Sequence, residues 1–428
     1  MKVSVIAIGD ELLVGQVTDT NSGTIARTIA PAGWQIAGVQ VVADNRNEIR
    51  NAIDKAFAQA PIVLTTGGLG PTKDDITKGV LTEIFGGNLV ENRDVLENVR
   101  SIMTARGLEM NALTAGQAIV PSSCSVINNK LGTAPLMWFD SPRGTLVAMP
   151  GVPFETAGMF ESEVFPRLLD KYHSDKCILH NTFITTGISE SALAESLDKW
   201  ESSLPENLHL AYLPNAGYIR LRLDSTGSDR SATEKITRNA CANLIELLGD
   251  NLLAIGDLTP AQILLHEAAS CGATIATAES CTGGNIAAAI TAIPGCSANM
   301  LGGIVAYSND IKIKLLGVSP ETLSEKGAVS EETAGQMALG ACTATGADLA
   351  MATSGIAGPD GGTPLKPVGT VCIAVAYKGK VRTTTMHFPG NRARIVQRAV
   401  NQALILAAST IKEQKNVVSK PKCKSTSA

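Results

Sequence analysis

The sequence predicts an α/β fold: a mainly parallel sheet domain, a small α+β middle module and a C-terminal α/β domain. Three observations predict it. Residues 3–85 alternate short apolar runs with helix-period segments, and the same alternation resumes after residue 259 with a polar turn closing each apolar run. Between them, strand-like pieces flank two helical patterns. At 428 residues the chain is also too long for one ordinary core.

In the first domain, set at residues 1–168, strands are expected at 3–8, 36–42 and 62–66. Helices are expected at 21–30, 47–58 and 75–85, the last with an acidic first turn. Such a βαβαβ series implies a parallel sheet covered on both faces. The unit closes after the turn PGVP (150–153) and the helical pattern behind it. The middle module, 169–256, offers strands at 181–186, 208–213 and 219–224 and helices at 189–197 and 231–248. It holds no constellation that points to chemistry, and its expected role is spacing or packing. The third domain, 257–412, opens on a helix capped by Thr259-Pro260. Strands follow at 274–278, 300–305 and 349–353, with a helix at 286–293 and a last helix opened by HFPGNRARIVQR (387–398). Beyond Ile411 the chain turns polar, with Lys412, Lys415, Lys420, Lys422 and Lys424, and a frayed tail is expected over 413–428.

Composition narrows the function. The net charge of −4 and the lack of a basic block before the tail argue against duplex nucleic acid, and 4% aromatics argue against stacking platforms for single strands. Nine scattered cysteines without a CxxC pair exclude the common zinc spacings and favour reduced, mostly buried thiols. No run approaches membrane-spanning length, and no cleavable leader precedes the first strand, so a cytoplasmic protein is expected.

Four polar turns in the third domain each follow an apolar run and can meet at one sheet edge, where α/β sheets bind ligands. They are TAESCTGG (277–284), AYSNDIK (306–312), SGIAGPDGG (354–362) and HFPGNR (387–392). The first supplies the hydroxyls of Ser280 and Thr282, the Glu279 carboxylate and the Cys281 thiol, with Gly283 and Gly284 permitting close approach to the backbone. Free N–H groups at the start of the following helix would favour an anion. Together the turns suit a phosphorylated small molecule.

The first domain carries its own constellation. GDELLVG (9–15) places Asp10 and Glu11 after the first strand, and TTGGLGPTKDD (65–75) follows the third. Gly67, Gly68, Gly70 and Thr72 suit a phosphate, and Asp10, Glu11, Asp74 and Asp75 a hard divalent cation. Taken singly, Asp74 and Asp75 would only stabilise a helix N-terminus; the combination favours a nucleotide or pterin phosphate site. Neither a Walker loop nor a Rossmann fingerprint is present.

GDELLVG, DTN (19–21), TTGGLGPTKDD and PGVP together resemble the N-terminal domain of the CinA family, which is related to molybdopterin-binding proteins of the MoaB and MogA kind. TAESCTGG, AYSNDIK, SGIAGPDGG with KPVGTV (366–371), and FPGNR resemble that family's C-terminal domain. The resemblance implies a nicotinamide-nucleotide amidase that converts nicotinamide mononucleotide to nicotinic acid mononucleotide and ammonia without a cofactor. It also implies a divalent-cation-dependent ADP-ribose pyrophosphatase in the N-terminal domain, a role in pyridine nucleotide recycling, and a homodimer. The alternative is a non-catalytic nucleotide- or molybdopterin-binding protein linked to competence or damage response.

By resemblance the nucleophile is Ser280, with Tyr307 and Lys312 moving the proton: a buried, neutral Lys312 activates the serine directly or through the Tyr307 hydroxyl. Glu279, Thr282, Gly283, Gly284, Ser354, Gly355 and Arg392 are expected around the substrate, Arg392 at its phosphate, with Arg394 and Arg398 as possible substitutes. Cys281 is the rival nucleophile, read more readily as a small residue filling space under the turn.

Overall fold

The protein, seen in a computed structural model, is described for residues 1–72, 74–172 and 177–419. It divides into two units, residues 1–180 with 225–237 and residues 181–224 with 238–428.

In the first unit, β1 (Lys2–Ile8) and β3 (Ile62–Thr66) are buried almost throughout because both faces of the sheet are covered. With β2 (Gln35–Val42) they are parallel strands of a six-stranded sheet. A short antiparallel pair, β4 (Leu89–Glu91) and β5 (Ile119–Pro121), stands apart from it. The sheet is completed by β6 (Ser125–Ile127), β7 (Leu136–Ser141) and β8 (Gly144–Met149), in the order β2-β1-β3-β8-β7-β6. β8 runs parallel to β3, and β7 and β6 are antiparallel. Val3, Val5, Ile62, Leu64 and Val147 pack on one face, and Ile6, Ile8, Val63, Leu146 and Ala148 on the other. The carboxyl ends of β1, β2, β3 and β8 therefore lie along one edge, bringing Gly9–Glu11, Asp44, the Gly67–Gly70 loop and Pro150-Gly151 together around a cavity of about 450 Å³.

The helix expected at 75–85 begins only at Thr77, without an acidic first turn. Asp75 precedes it and folds back onto the glycine loop. A further short helix, Asp10–Leu13, was not foreseen.

In the middle of the chain, β9 (Cys177–Thr185), β10 (Leu208–Asn215), β11 (Tyr218–Gly227) and β12 (Leu252–Ile255) form a sheet ordered β10-β11-β9-β12. Its Ile184, Tyr218 and Leu253 join the core of the following domain. That domain is built on β13 (Ile275–Glu279), β14 (Met300–Val305), β15 (Leu349–Gly355), β16 (Thr370–Tyr377) and β17 (Lys380–His387), ordered β14-β13-β15-β16-β17. β14, β13 and β15 are parallel, whereas β16 and β17 are a hairpin. One face carries Ile275, Leu349, Met351, Ile373 and Val375 against the last helix. The other is almost all alanine: Ala276, Ala278, Ala350, Ala352, Ala374 and Ala376. Small side chains there let the helix Glu331–Thr345 lie close to the sheet.

The last helix, Arg392–Ser419, continues well past Ile411. The frayed tail expected from 413 is thus corrected: Lys415 donates to the Glu267 carboxylate at 2.7 Å, and Lys412 to the Leu253 carbonyl. Residues 420–428, with Lys420, Lys422, Lys424 and Cys423, lie outside the described residues. All eight described cysteines are free, but only Cys281 and Cys372 are fully buried, fewer than expected. No helix among the described residues is long and apolar enough to cross a membrane.

Gly340 sits mid-helix in Glu331–Thr345, and a Cβ there would come within 1.9 Å of the Leu316 carbonyl oxygen, on the helix that carries Lys312. Alanine in an exposed helix would add about 1 kcal/mol of stability over glycine. Here Gly340→Ala is expected to cost about 2 kcal/mol through overpacking. Urea unfolding followed by circular dichroism checks this, and a midpoint at or above that of the wild type contradicts it.

Candidate active site

The carboxyl ends of β13, β14, β15 and β17 fall on one edge of the five-stranded sheet: Glu279 pairs in register with Val305 and Thr353, Gly355 with Val371, and Thr370 with His387. All four polar turns leave from that edge, as the sequence led one to expect.

Ser280 is the first residue beyond β13. Its N–H donates to the Thr353 carbonyl at 2.9 Å, which ties the turn to β15. Lys312 comes from the helix Asn309–Leu316, whose N-cap Ser308 accepts from the Ile311 N–H. The lysine is 1% exposed, and its Nζ lies 3.0 Å from Ser280 Oγ, 2.9 Å from the Ala306 carbonyl and 3.1 Å from the Tyr307 carbonyl. No carboxylate pairs with it among the described residues, and burial holds its pKa below the ordinary lysine value. Two carbonyls account for two N–H bonds. In the neutral amine the remaining lone pair then faces Ser280 Oγ, which becomes the donor.

Tyr307 is placed differently from expectation. Its side chain is 62% exposed, and its hydroxyl accepts from Arg392 Nη2 at 3.1 Å rather than standing between Lys312 and Ser280. Arg392 Nη1 donates to the Gly358 carbonyl at 2.8 Å, so one guanidinium joins the second, third and fourth turns. Arg398 instead donates to the Pro389 carbonyl.

The turn itself is organised by Glu279, which is fully buried. Its carboxylate accepts from the Thr282 hydroxyl (2.7 Å) and from the N–H groups of Gly284 (3.0 Å), Ile286 (3.0 Å) and Ala287 (2.9 Å). The expectation of free N–H groups at this helix start is therefore corrected, because an internal carboxylate already occupies them. Thr282 Oγ1 also meets Thr353 Oγ1 at 2.7 Å, so Glu279 and Thr282 shape the turn from inside rather than face a ligand. Gly283 and Gly284 adopt φ of 62° and 96°, which permits the reversal. Ser354 is likewise buried and donates to the Ala328 carbonyl at 2.5 Å. A Cβ on Gly355 would fall 2.7 Å from the Thr370 carbonyl oxygen. Burial pushes the Cys281 thiol up to about 12, which leaves it a poor nucleophile.

In the first unit, Asp75 accepts from the Gly70 N–H (2.7 Å), the Thr72 N–H (3.0 Å) and the Thr72 hydroxyl (2.5 Å). A Cβ on Gly67 would meet the Ile8 carbonyl, and one on Gly68 the Thr77 hydroxyl, so these glycines first serve packing. Asp74 is exposed and lines the same cavity; its pKa is lowered by the Thr72 hydroxyl. The sequence reading missed Asp44, whose carboxylate and N–H exchange 3.2 Å bonds with Asp10. Burial and then the neighbouring Asp10, Glu11 and Asp75 raise the Asp44 pKa, opposed by the Asp10 N–H. Its signal was its place just beyond β2, equivalent to Asp10 beyond β1. Glu155, held by Asn129 at 2.7 Å, and Gln117 also line the cavity. Among the described residues no group of three or more His, Cys, Asp or Glu is arranged to hold a metal ion; of the four expected ligands, Glu11, Asp74 and Asp75 line the cavity and Asp10 bonds Asp44 beside them.

Family profiles match three stretches of the chain: "Probable molybdopterin binding domain" over 4–170, "Damage-inducible protein CinA KH domain" over 180–254 and "CinA C-terminal domain" over 258–411. A CinA-like protein of Cytophaga hutchinsonii is 39% identical over 96% of this chain and 98% of its own. One from Chloroherpeton thalassium is 42% identical over 89% and 91%. The crystal structure of the competence/damage inducible protein CihA from Agrobacterium tumefaciens is 43% identical, covering 35% of this chain and 93% of its own with a TM-score of 0.34.

Replacing Asp75 by Asn removes the charge that gathers Gly70 and Thr72. Amide exchange at those two residues is expected to quicken at least about tenfold, the equivalent of one charge-assisted hydrogen bond. Unchanged protection in Asp75→Asn would mean the loop holds its shape without that carboxylate.

Proposed function

The chain belongs to the CinA family, and on that premise we propose that its C-terminal domain hydrolyses nicotinamide mononucleotide to nicotinic acid mononucleotide and ammonia. The observation that carries this reading is the 3.0 Å contact between Ser280 and a buried lysine with no carboxylate partner among the described residues. Deamidation is acyl transfer and needs a nucleophile, a base and donors for an oxyanion.

Neutral Lys312 takes the Ser280 proton as Oγ bonds to the carboxamide carbon. The resulting ammonium then gives that proton to the departing nitrogen, and ammonia leaves. Water, deprotonated by the same amine, cleaves the ester and restores the serine. The N–H groups of Cys281 and Thr282 have no oxygen acceptor among the described residues and are the donors for the tetrahedral oxyanion. Arg392, already bound to Tyr307 and Gly358 at the rim, is the anchor for the substrate phosphate.

For the N-terminal domain the same premise supports binding of a phosphorylated ligand, a nucleotide or a pterin, in the 450 Å³ cavity. The donor arrangement does not fit a preformed carboxylate cage, so no step of ADP-ribose hydrolysis is assigned through a metal there. Family membership is consistent with a role in the damage response. Residues 180–254 lack a GxxG loop, the nucleotide clamp of KH modules, which supports leaving nucleic acid out of the reading.

Ammonia release from nicotinamide mononucleotide tests the proposal. Ser280→Ala and Lys312→Met are each expected to lower turnover by about 10³-fold, whereas Cys281→Ala stays within a few-fold of wild type. Because the neutral amine is the base, turnover should rise with pH through a Lys312 pKa depressed below 10.5. Loss of activity in Cys281→Ala alone, or a rate that falls over that rise in pH, would contradict the assignment.

A further inference from the structure

Glu279 makes no contact with Lys312 or Ser280 Oγ in the hydrogen-bond pattern, yet it is the most heavily engaged side chain of the turn. A carboxylate with no exposure survives burial only when its lone pairs are satisfied, and four donors do so here. Three of them are the N–H groups that a short helix ordinarily offers to solvent or ligand. The next donor back along the chain, Gly283 N–H, is bound to the Ser280 carbonyl; Thr282 N–H and Cys281 N–H follow, lacking an oxygen acceptor among the described residues, and then Ser280 N–H, which is bound to Thr353.

We propose that Glu279 is a positioning residue: by taking the N–H groups of Gly284, Ile286 and Ala287 and the Thr282 hydroxyl, it fixes the turn so that only the Cys281 and Thr282 N–H groups stand ready for the oxyanion. The inference rests on Ser280 acting as the nucleophile. It also removes the start of the helix Asn285–Thr291 as the seat of the substrate phosphate, since a negative charge already sits there. The phosphate is left to the rim side of the site.

Labelling by a fluorophosphonate tests this without the nucleotide substrate. The Ser280 Oγ–P bond forms, the P–F bond breaks, the hydroxyl proton passes to Lys312 and fluoride leaves. Glu279→Gln keeps the size of the side chain but turns an amide donor toward N–H groups. Its labelling rate is expected to fall about 100-fold, the effect of losing oxyanion donors, with the pH midpoint of labelling unchanged because Lys312 keeps its surroundings. A rate within threefold of wild type overturns the inference, as does a loss accompanied by a moved midpoint, which would place the effect on the lysine.

Amide NMR of the wild-type adduct supplies a measurement that needs no folded variant. The Cys281 and Thr282 amide protons are expected to move downfield while those of Gly284, Ile286 and Ala287 hold. The opposite pattern overturns the inference. Labelling at Ser280 without ammonia release from nicotinamide mononucleotide would sink the deamidase reading alone, whereas wild-type labelling in Glu279→Gln would sink this one alone.

Discussion

A lysine buried beside a serine, with no carboxylate partner among the described residues, is the constraint on which the C-terminal domain depends. Removing an ammonium from water without a counter-charge costs several kcal/mol, and burial therefore shifts the lysine toward its neutral form. The fold supplies what the neutral amine needs: the Ala306 and Tyr307 carbonyls at the end of β14, and the Ser280 hydroxyl at the end of β13. These arrive from adjacent parallel strands whose register pairs Glu279 with Val305. Replacing the lysine by a methionine of similar length would suit the core better, so its presence there is a sign of chemistry rather than of packing.

Much of this was legible in the sequence because it depends on local patterns. Apolar runs set β3 and β14 at their observed bounds, and the Thr259-Pro260 signal marked a helix start that the structure closes with a Thr259–Gln262 capping box. Polar turns after parallel strands must share an edge, so the meeting of Ser280, Lys312 and Arg392 in one region followed from topology. What the sequence hid depends on side-chain direction. Tyr307 and Lys312 are five residues apart around a helix start, and only the structure shows that the tyrosine offers its carbonyl inward and its ring outward. Asp44 lay in no motif, and its role beside Asp10 emerges only when β1 and β2 pair. The end of the last helix was set too early because a polar composition after Ile411 resembles a tail. Lys412 and Lys415 nevertheless find partners on residues more than a hundred positions away.

The rim of the C-terminal site is held by a different kind of contact. Arg392 reaches both the Gly358 carbonyl and the exposed Tyr307 hydroxyl, so three turns with no sequence proximity are joined through one planar cation. Neither acceptor is charged. An arriving phosphate dianion would outcompete the tyrosine hydroxyl for the guanidinium, since charge-assisted bonds are roughly twice as strong as neutral ones. Binding of such an anion would exchange one neutral hydrogen bond for a charge-assisted one.

The two domains share a device that reverses a common inference from sequence. A glycine-rich turn after a parallel strand is often taken as a cradle of free N–H groups for an anion. In the first domain Asp75, which follows its turn, occupies the N–H groups of Gly70 and Thr72. In the C-terminal domain Glu279, which precedes its turn, occupies those of Gly284, Ile286 and Ala287. Each carboxylate is an internal anion that already answers the local positive field. A Cβ on Gly70 would stand 2.3 Å from an Asp75 oxygen and would push that carboxylate off the loop, a reason for glycine that needs no ligand. The donors left for an incoming group are then the few that the internal carboxylate does not reach, and at this turn they are the two N–H groups immediately after Ser280.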